Sequence, residues 1–401
     1  MFSYKEIGKR LREIRKQLGF SQADIAERLD MSRPTISKIE NGKKKITSLE
    51  LSRFADLYNK PFSYFIEEKD GKEPVNCLLR EESLTQTEKE HLLEAGNIYR
   101  KYSQLESIVF GEVPLNLPQY KFSPTSSYGP SAVSEGEKIA KNERNRLGLN
   151  LAPVKDIFDL LEGENVKVLK VHFGNDSDLA GVFFFNEEKG PCIVVNIDQN
   201  LGRANFSAAH EYGHLLRDQD LFPSHLTRLE NKEFNNGNDV HEIRANAFAA
   251  AFLMPAEGVN NFFEEAGMEK GNKVTPEDVI YSQKHFGVSY QAMLYRLQNL
   301  GWLGENDRKK LSSYSPSALS KSLGIQQEEK KDYRALPDRY FHLAIKAYEK
   351  EDINLGKLVE LLKPLKEFKR TEIIDLLQEL DIEVRIGPED EDEILEEFEN
   401  A

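Results

Sequence analysis

The first 66 residues carry hydrophobic side chains at the spacing of several short helices. In YKEIGKRLREIRKQLG, Ile7, Leu11, Ile14 and Leu18 recur every three or four residues, the pattern of one buried helix face. The stretches SQADIAERLD and SRPTISKIENG each begin with a serine that can cap a helix, and the second has proline in its first turn. With TSLELSRFADLYN as a further helix, the pattern predicts a small all-helical domain.

The pattern changes after about residue 135. VKVLKVHF, LAGVFFFN and CIVVNID are short β-rich runs, and two helical stretches follow them, one containing SAAHEYGHLLRD and one reading VHEIRANAFAAAFLM. We therefore predict an α+β chain with an all-helical domain at 1–68, a helical linker and loop at 69–134, an α+β domain at 135–310, and a helical C-terminal extension at 311–401.

Composition indicates an ordinary protein of two or three domains. The chain has 401 residues, of which 39% are hydrophobic and 30% charged. It has no apolar run long enough for a transmembrane helix, and its start lacks the features of a signal peptide. Cys77 and Cys192 lie far apart and are expected to be reduced thiols. These features predict a cytoplasmic protein with no membrane partner.

Charge is distributed unevenly along the chain. The net charge is −14, yet residues 1–66 hold 14 Lys and Arg against 8 Asp and Glu, a local net charge of +6. A basic head on an acidic body suits a DNA-binding domain, because attraction to phosphate acts over short distances. The end of the chain, 388–401, has eight acidic residues and no basic one, which predicts a solvated tail. A second interpretation is that this tail shields the basic head when DNA is absent.

The motif HEYGH at residues 210–214 has the chemistry of a metal site. His210 and His214 are four residues apart and share a helix face, so both rings can reach one Zn²⁺. Glu211 would lie beside the metal, where it can take a proton from an activated water. The alternative is a surface helix on which the two histidines coincide by chance.

A third ligand is available further along the chain. Glu242 opens a helix 28 residues after His214, and Asn246 lies one turn later, where it could support a ligand by a hydrogen bond. Two histidines and a carboxylate could also hold manganese or iron, so another divalent metal remains open beside zinc.

The head resembles the phage-repressor (Xre/Cro-type) helix-turn-helix family over roughly residues 4–66. In that family the second helix rests on the DNA backbone and the third lies in the major groove. The resemblance implies a DNA operator, a homodimer and the following contacts: Gln22 at the backbone; Ser32, Arg33, Thr35, Ser37 and Lys38 at the groove; Asn41 and Lys43, Lys44 and Lys45 at phosphates. The alternative is a helical module that contacts proteins instead of DNA.

The stretches DSDLAGVFFF, GPCIVVN, RANFSAAHEYGHLLRD and EIRANAFAAAFLMP resemble, in order, the ImmA/IrrE family of zinc metallopeptidases. This resemblance covers about residues 135–300 and implies a zincin-like fold. It also implies zinc ligands His210, His214 and Glu242, with Glu211 as general base. Arg244 departs from the family pattern, in which many members have an acid. A substrate peptide is expected to add alongside the strand at 179–185. Tyr212, His225 and His241 are available to stabilise an oxyanion, but none is assigned.

Together the two resemblances imply a DNA-binding zinc metalloendopeptidase. Members of the family are implied to act in stress response or mobile-element control by cleaving a transcription repressor. The alternative is a DNA-binding autoregulator or antitoxin, paired with a toxin, whose zinc domain senses a ligand or binds protein and hydrolyses little.

Overall fold

The computed structural model describes residues 4–58, 60, 65, 78–79, 84–111, 117–120, 129–174, 176–186, 188–218, 224–228, 239–325, 337–362 and 370–387. Cys77 and the acidic tail at 388–401 lie outside these residues, and Cys192 is a buried free thiol. The chain divides into two compact units, one formed by residues 1–113 and 340–401 and the other by residues 114–339.

Among the residues that the structure describes, the N-terminal domain has four helices, α1 (Tyr4–Gln17), α2 (Gln22–Arg28), α3 (Arg33–Glu40) and α4 (Ser48–Leu57). Their starts follow from local chemistry, because the side chains of Ser21, Ser32 and Thr47 accept hydrogen bonds from backbone N–H groups of the first turns. Leu11 and Ile14 are fully buried, as their spacing predicts. The predicted all-helical domain is present.

A buried ion pair connects the elements of this domain. Arg15 on α1 donates to both carboxylate oxygens of Glu40 on α3, at 2.6 and 2.9 Å. Gln22 on α2 donates to the same carboxylate at 2.8 Å. Both charges of the pair are almost completely shielded from solvent, so the three helices share one buried polar contact.

The same unit contains helices from both ends of the chain. The long helix α5 (Gln86–Phe110) packs with residues of the C-terminal region, where Tyr102 meets Tyr340 edge-on at 5.3 Å between ring centroids. Lys101 also lies 3.6 Å from the carboxylate of Glu360. Residues 340–401 therefore group with residues 1–113.

The second unit contains a four-stranded mixed sheet in the order β1-β3-β2-β4. The strands are β1 (Lys167–Val171), β2 (Leu179–Asn186), β3 (Gly190–Asn196) and β4 (Ser224–Arg228). β1 is parallel to β3, whereas β2 is antiparallel to both β3 and β4. Because β4 pairs with residues 179–184, β2 is an interior strand, and the expected addition of a substrate peptide alongside residues 179–185 is wrong for this arrangement. Both edges of β2 already have hydrogen-bonding partners.

This unit also includes the helices α6 (Gly129–Arg146), α7 (Ile157–Gly163), α8 (Leu201–Arg217) and α9 (Val240–Leu253), of which α7 packs on β1. α8 packs on β2 and β3, and α9 packs between α8 and α6. Their apolar faces form one buried core that includes Phe183, Leu215 and Phe248. The predicted α+β class is confirmed, with the sheet and the helical pair α8–α9 in the expected order.

The remaining helices complete the two units. The bounds in the second unit are α10 (Ala256–Glu265), α11 (Pro276–Phe286), α12 (Tyr290–Asn299), α13 (Glu305–Leu311) and α14 (Pro316–Ser322), followed towards the C-terminus by α15 (Asp338–Glu349), α16 (Leu355–Leu362) and α17 (Arg370–Glu379). Among the described residues, no helix has both the length and the apolar character needed to cross a bilayer.

Candidate metal centre

Three potential metal ligands converge between α8 and α9. The Nε2 atoms of His210 and His214 lie 3.1 Å apart. The carboxylate of Glu242 approaches both rings, at 3.3 Å from Nε2 of His210 and 3.2 Å from Nε2 of His214. Both histidines are buried, whereas the Glu242 side chain is 26% exposed. The cluster is therefore closed on the histidine side and open to solvent on the glutamate side.

The separations of these donor atoms fit a small tetrahedral cation. Ligands about 2.0–2.1 Å from a tetrahedral zinc ion lie roughly 3.3–3.4 Å from one another. The two Nε2 atoms lie 3.1 Å apart, and each lies close to a different oxygen of the Glu242 carboxylate, His210 at 3.3 Å from Oε2 and His214 at 3.2 Å from Oε1, so these separations are near that edge length. Two nitrogens and one carboxylate oxygen also match the donor types of three-ligand catalytic zinc sites. The residues present therefore fit the metal that the sequence predicts.

Hydrogen bonds orient both imidazole rings. Nδ1 of His210 lies 2.9 Å from Oδ1 of Asn246, and Nδ1 of His214 lies 3.0 Å from Oδ2 of Asp218. An acceptor oxygen at Nδ1 fixes the orientation of each ring, so that Nε2 is directed at the cluster. Asn246 lies where its spacing from Glu242 predicted support for a ligand.

The charges of the cluster favour a cation. Burial would lower the pKa of His214, but hydrogen bonds to Asp218 and Glu242 outweigh it and raise that pKa to about 9. Burial would raise the pKa of Glu242, yet hydrogen bonds to His210 and His214 hold it well below its usual range. Burial likewise opposes ionisation of Asp218, whose pKa is nevertheless lowered by His214 and Arg244. Both carboxylates are thus ionised around a centre that attracts positive charge.

Glu211 lies on α8 between the two histidines and is completely buried. It faces the strand β2 at Gly181, where a Cβ atom would lie only 3.1 Å from Cγ and Oε1 of Glu211. The absence of a side chain at Gly181 therefore leaves the space that the Glu211 carboxylate occupies. The charge of Glu211 also contributes to the raised pKa of His214, which indicates that its carboxylate lies near the cluster.

Two of the three residues considered for oxyanion stabilisation have other contacts. Tyr212 is buried, and its hydroxyl donates to Glu143 at 2.5 Å. Burial, followed by the charge and hydrogen bond of Glu143, raises the Tyr212 pKa well above its ordinary value. Nδ1 of His241 lies 2.9 Å from Oδ1 of Asp218. His225 lies on β4, opposite Phe183 of β2.

Sequence reasoning missed Asp218 and its partners. Asp218 is 1% exposed and contacts His214, His241 and Arg244. A signal was present, because Asp218 follows His214 by four residues and so lies on the same helix face. Arg244, noted only as a departure from the family pattern, is the cationic partner of this carboxylate.

The residues predicted to contact DNA lie on α3 and just beyond its two ends, except Gln22, which begins α2. Ser32, Arg33, Lys38, Asn41 and Lys43 are exposed, and Thr35 and Ser37 are half-buried. Ser32 also caps the helix and lies 2.9 Å from the Thr35 hydroxyl.

Several of these polar groups also have partners within the domain. The Asn41 amide donates to the Ser37 backbone oxygen at 2.7 Å. Lys44 lies 2.6 Å from Glu50, and the Gln22 amide is held by Glu40. The remaining lysine of the basic run, Lys45, is exposed.

Comparison with known families agrees with this geometry. Residues 162–298 match the model of a peptidase family described as the IrrE N-terminal-like domain, a range that contains Glu211 and the whole His210, His214 and Glu242 cluster. Residues 11–65 match a helix-turn-helix model. No curated protein matches the chain. The chain therefore has one segment similar to helix-turn-helix domains and another similar to IrrE-like peptidase-family domains, in the order that the resemblance predicted.

Proposed function

We propose that this protein is a DNA-binding zinc metalloendopeptidase that cleaves a transcription repressor or another regulatory protein. The observation that carries the proposal is the cluster of His210, His214 and Glu242 beside the buried Glu211, in which the two Nε2 atoms lie 3.1 Å apart and each lies 3.2–3.3 Å from one oxygen of the Glu242 carboxylate. This arrangement combines a three-ligand site with an adjacent carboxylate, which is what hydrolysis of a peptide bond requires.

Each residue of the cluster has a distinct part in this chemistry. His210 and His214 would hold the ion through Nε2, and Glu242 through its carboxylate. A bound zinc ion supplies a Lewis acid that polarises the substrate carbonyl and makes water a better nucleophile at neutral pH. Glu211 accepts the proton of the attacking water and delivers it to the amide nitrogen of the leaving peptide.

The helix-turn-helix domain supports a regulatory substrate. An enzyme for general protein digestion has no need to bind an operator. An enzyme that controls promoters does need to bind one. The exposed Arg33 and Lys38 on α3 have the chemistry to read guanine edges or bind phosphate. We therefore place the proposed substrate among proteins that act at the same promoters.

A Glu211→Gln variant of the full chain tests the peptidase activity. The amide keeps the shape of the side chain but cannot accept a proton, so a general base contributing about 10²–10⁴-fold would be lost. We expect new protein N-termini in cells that express the wild type and none of them in cells that express Glu211→Gln. Zinc affinity and DNA binding should stay at wild-type values, because Glu211 is neither a proposed metal ligand nor a proposed DNA contact.

Glu257→Gln is the matched control, since Glu257 is an exposed glutamate of the same unit whose carboxylate lies 3.9 Å from the exposed Lys141. This variant should generate the same new N-termini as the wild type. Cleavage by Glu211→Gln at wild-type levels would refute the assignment of the base.

One observation favours the second candidate function, a DNA-binding autoregulator or antitoxin with little hydrolysis. Glu211 is 0% exposed, so a water molecule must enter the cluster from the more open side at Glu242 to meet it. This candidate predicts that wild-type cells show no new N-termini and that Glu211→Gln regulates promoters normally. A toxin gene beside the coding sequence would support it, whereas a repressor gene would support the peptidase.

A further inference from the structure

We propose that Asp218 and Arg244 are positioning residues of the metal centre, and that together they align His214 on α8 with Glu242 on α9. The inference rests on the proposed function, since it concerns the same site. It assigns a role to two residues that are not proposed metal ligands and to which the sequence analysis gave no part in the site.

The Asp218 carboxylate contacts groups from both helices that carry the ligands. Its Oδ2 atom lies 3.0 Å from Nδ1 of His214, one turn earlier on α8. Its Oδ1 atom lies 2.9 Å from Nδ1 of His241 and accepts a hydrogen bond from Arg244, both on α9. Each carboxylate oxygen therefore serves a different helix.

The two α9 partners of Asp218 flank Glu242 in the sequence. His241 precedes the proposed ligand directly, and Arg244 follows it by two residues. Anchoring these residues to Asp218 fixes the first turn of α9 against the end of α8. The position of Glu242 relative to His214 therefore depends on one carboxylate that contacts no metal.

Arg244 extends the contact to a third helix and balances the charge. Its guanidinium lies 3.5 Å from Glu135 on α6, and Arg217 of α8 donates to the same carboxylate at 2.8 Å. Two carboxylates and two guanidinium groups thus alternate across the junction of three helices. Arg244 is 6% exposed, and a buried ion of this kind is tolerated only with such partners. The departure from the family pattern at Arg244 is explained by this role.

The two ligand histidines are supported differently. Asn246 contacts His210 from within α9 through a neutral amide. Asp218 contacts His214 with a full charge and also joins the helices. Loss of Asp218 should therefore disturb two ligands, whereas loss of Asn246 removes support from one.

Asp218→Asn tests the direct contact with His214. Asparagine has one acceptor oxygen in place of two, so it cannot accept from both α8 and α9. We expect the zinc affinity of the full chain, measured by competition with a chelator, to fall by about 10–100-fold. Cobalt bound in place of zinc gives a second readout, because its visible absorption depends on ligand geometry, and the spectrum should change.

A double variant, Asp218→Val with Arg244→Met, separates positioning from stability. It removes both charges and replaces them with apolar groups, a change that often leaves the stability of a buried pair unaltered. If the pair only stabilises the fold, the double variant should regain both the melting temperature and the zinc affinity of the wild type. If the pair positions the ligands, the melting temperature of the zinc-free chain recovers while the affinity remains about 10–100-fold low.

Asp198→Asn is the matched control, because Asp198 forms an Asp–His contact of 2.7 Å with the exposed His172 in the same unit. Its zinc affinity should equal that of the wild type. Wild-type affinity in the double variant, or an equal loss in the control, would overturn the inference. If neither Asp218 variant folds, Arg244→Met alone decides, since unchanged zinc affinity in that variant also overturns it.

The outcome is separable from that of the proposed function. A wild-type chain that binds no zinc would remove the basis of both proposals. A wild-type chain that binds zinc, with variants that bind it equally tightly, would remove only the positioning role.

Discussion

The contact between α6 and α9 leads to a prediction in which metal affinity changes although no proposed metal ligand is substituted. A Cβ atom at Gly136 would lie 2.3 Å from the backbone oxygen of Arg244 and 2.9 Å from the backbone nitrogen of Phe248. Because these are backbone atoms, they cannot rotate away. A Gly136→Ala variant must therefore move α9 away from α6 by about 1 Å before normal contact distances return.

The size of this helix displacement determines how much zinc affinity should be lost. Metal–ligand distances tolerate about 0.2 Å, so displacing the helix that carries Glu242 should lower zinc affinity by about tenfold or more. Overpacking costs about 1–3 kcal/mol, and the higher helix propensity of alanine offsets about 1 kcal/mol of it. We expect the free energy of unfolding of the zinc-free chain to fall by up to about 2 kcal/mol.

Chelator competition and urea unfolding measure the two effects. Gly163→Ala is the matched control, because Gly163 also lies in a helix of this unit but a Cβ there would meet no atom within 4 Å. That variant should keep zinc affinity and should be as stable as the wild type or slightly more stable. If Gly136→Ala binds zinc within about threefold of the wild type, the contact between α6 and α9 does not position Glu242.

Three further variants test other parts of the molecule. Gly181→Ala places a Cβ 3.1 Å from the carboxylate of Glu211, so formation of new protein N-termini should fall about tenfold while zinc affinity stays unchanged. Glu40→Gln leaves the buried charge of Arg15 without its carboxylate, which should destabilise the N-terminal domain by about 3–5 kcal/mol in urea unfolding and leave zinc affinity unaltered. Lys43→Ala removes an exposed charge at the proposed DNA surface, so affinity should fall equally for all sequences, and the slope of log affinity against log salt should decrease by about 1.

Each of these three variants has its own control or its own result that would contradict the prediction. If Gly181→Ala lost zinc affinity as strongly as it lost cleavage, β2 would position the metal cluster as well as Glu211. For Glu40→Gln, the control is Glu13→Gln, since Glu13 pairs with Lys9 at an exposed site and should change stability by less than about 0.5 kcal/mol. An unchanged salt slope in Lys43→Ala would show that this lysine meets no phosphate.

The local features of the chain were predictable from the sequence. Helix periodicity identified the core positions Leu11 and Ile14, and serine marked the starts of α2 and α3, because both signals depend on residues within one or two turns. The spacing of His210 and His214 placed two imidazoles on one face for the same reason. Motifs in order along the chain were sufficient to recognise both domain families.

Contacts between distant segments required the tertiary structure. The sequence contains Asp218, Arg244 and Glu135, but their meeting depends on how α6, α8 and α9 cross. β2 is an interior strand because β4 pairs with it. β4 follows the HEYGH helix in the sequence, whereas β2 precedes that helix.

The sequence by itself therefore determined which residues could bind a metal and which could bind DNA, because side-chain chemistry and helical spacing are local properties. The tertiary structure alone decided how the metal ligands are held. Glu242 reaches His214 only because a buried carboxylate and a buried guanidinium join the ends of two helices. Such pairs form where helices cross. The position of the crossing is set by close contacts such as the one at Gly136. No periodicity in the sequence encodes these contacts.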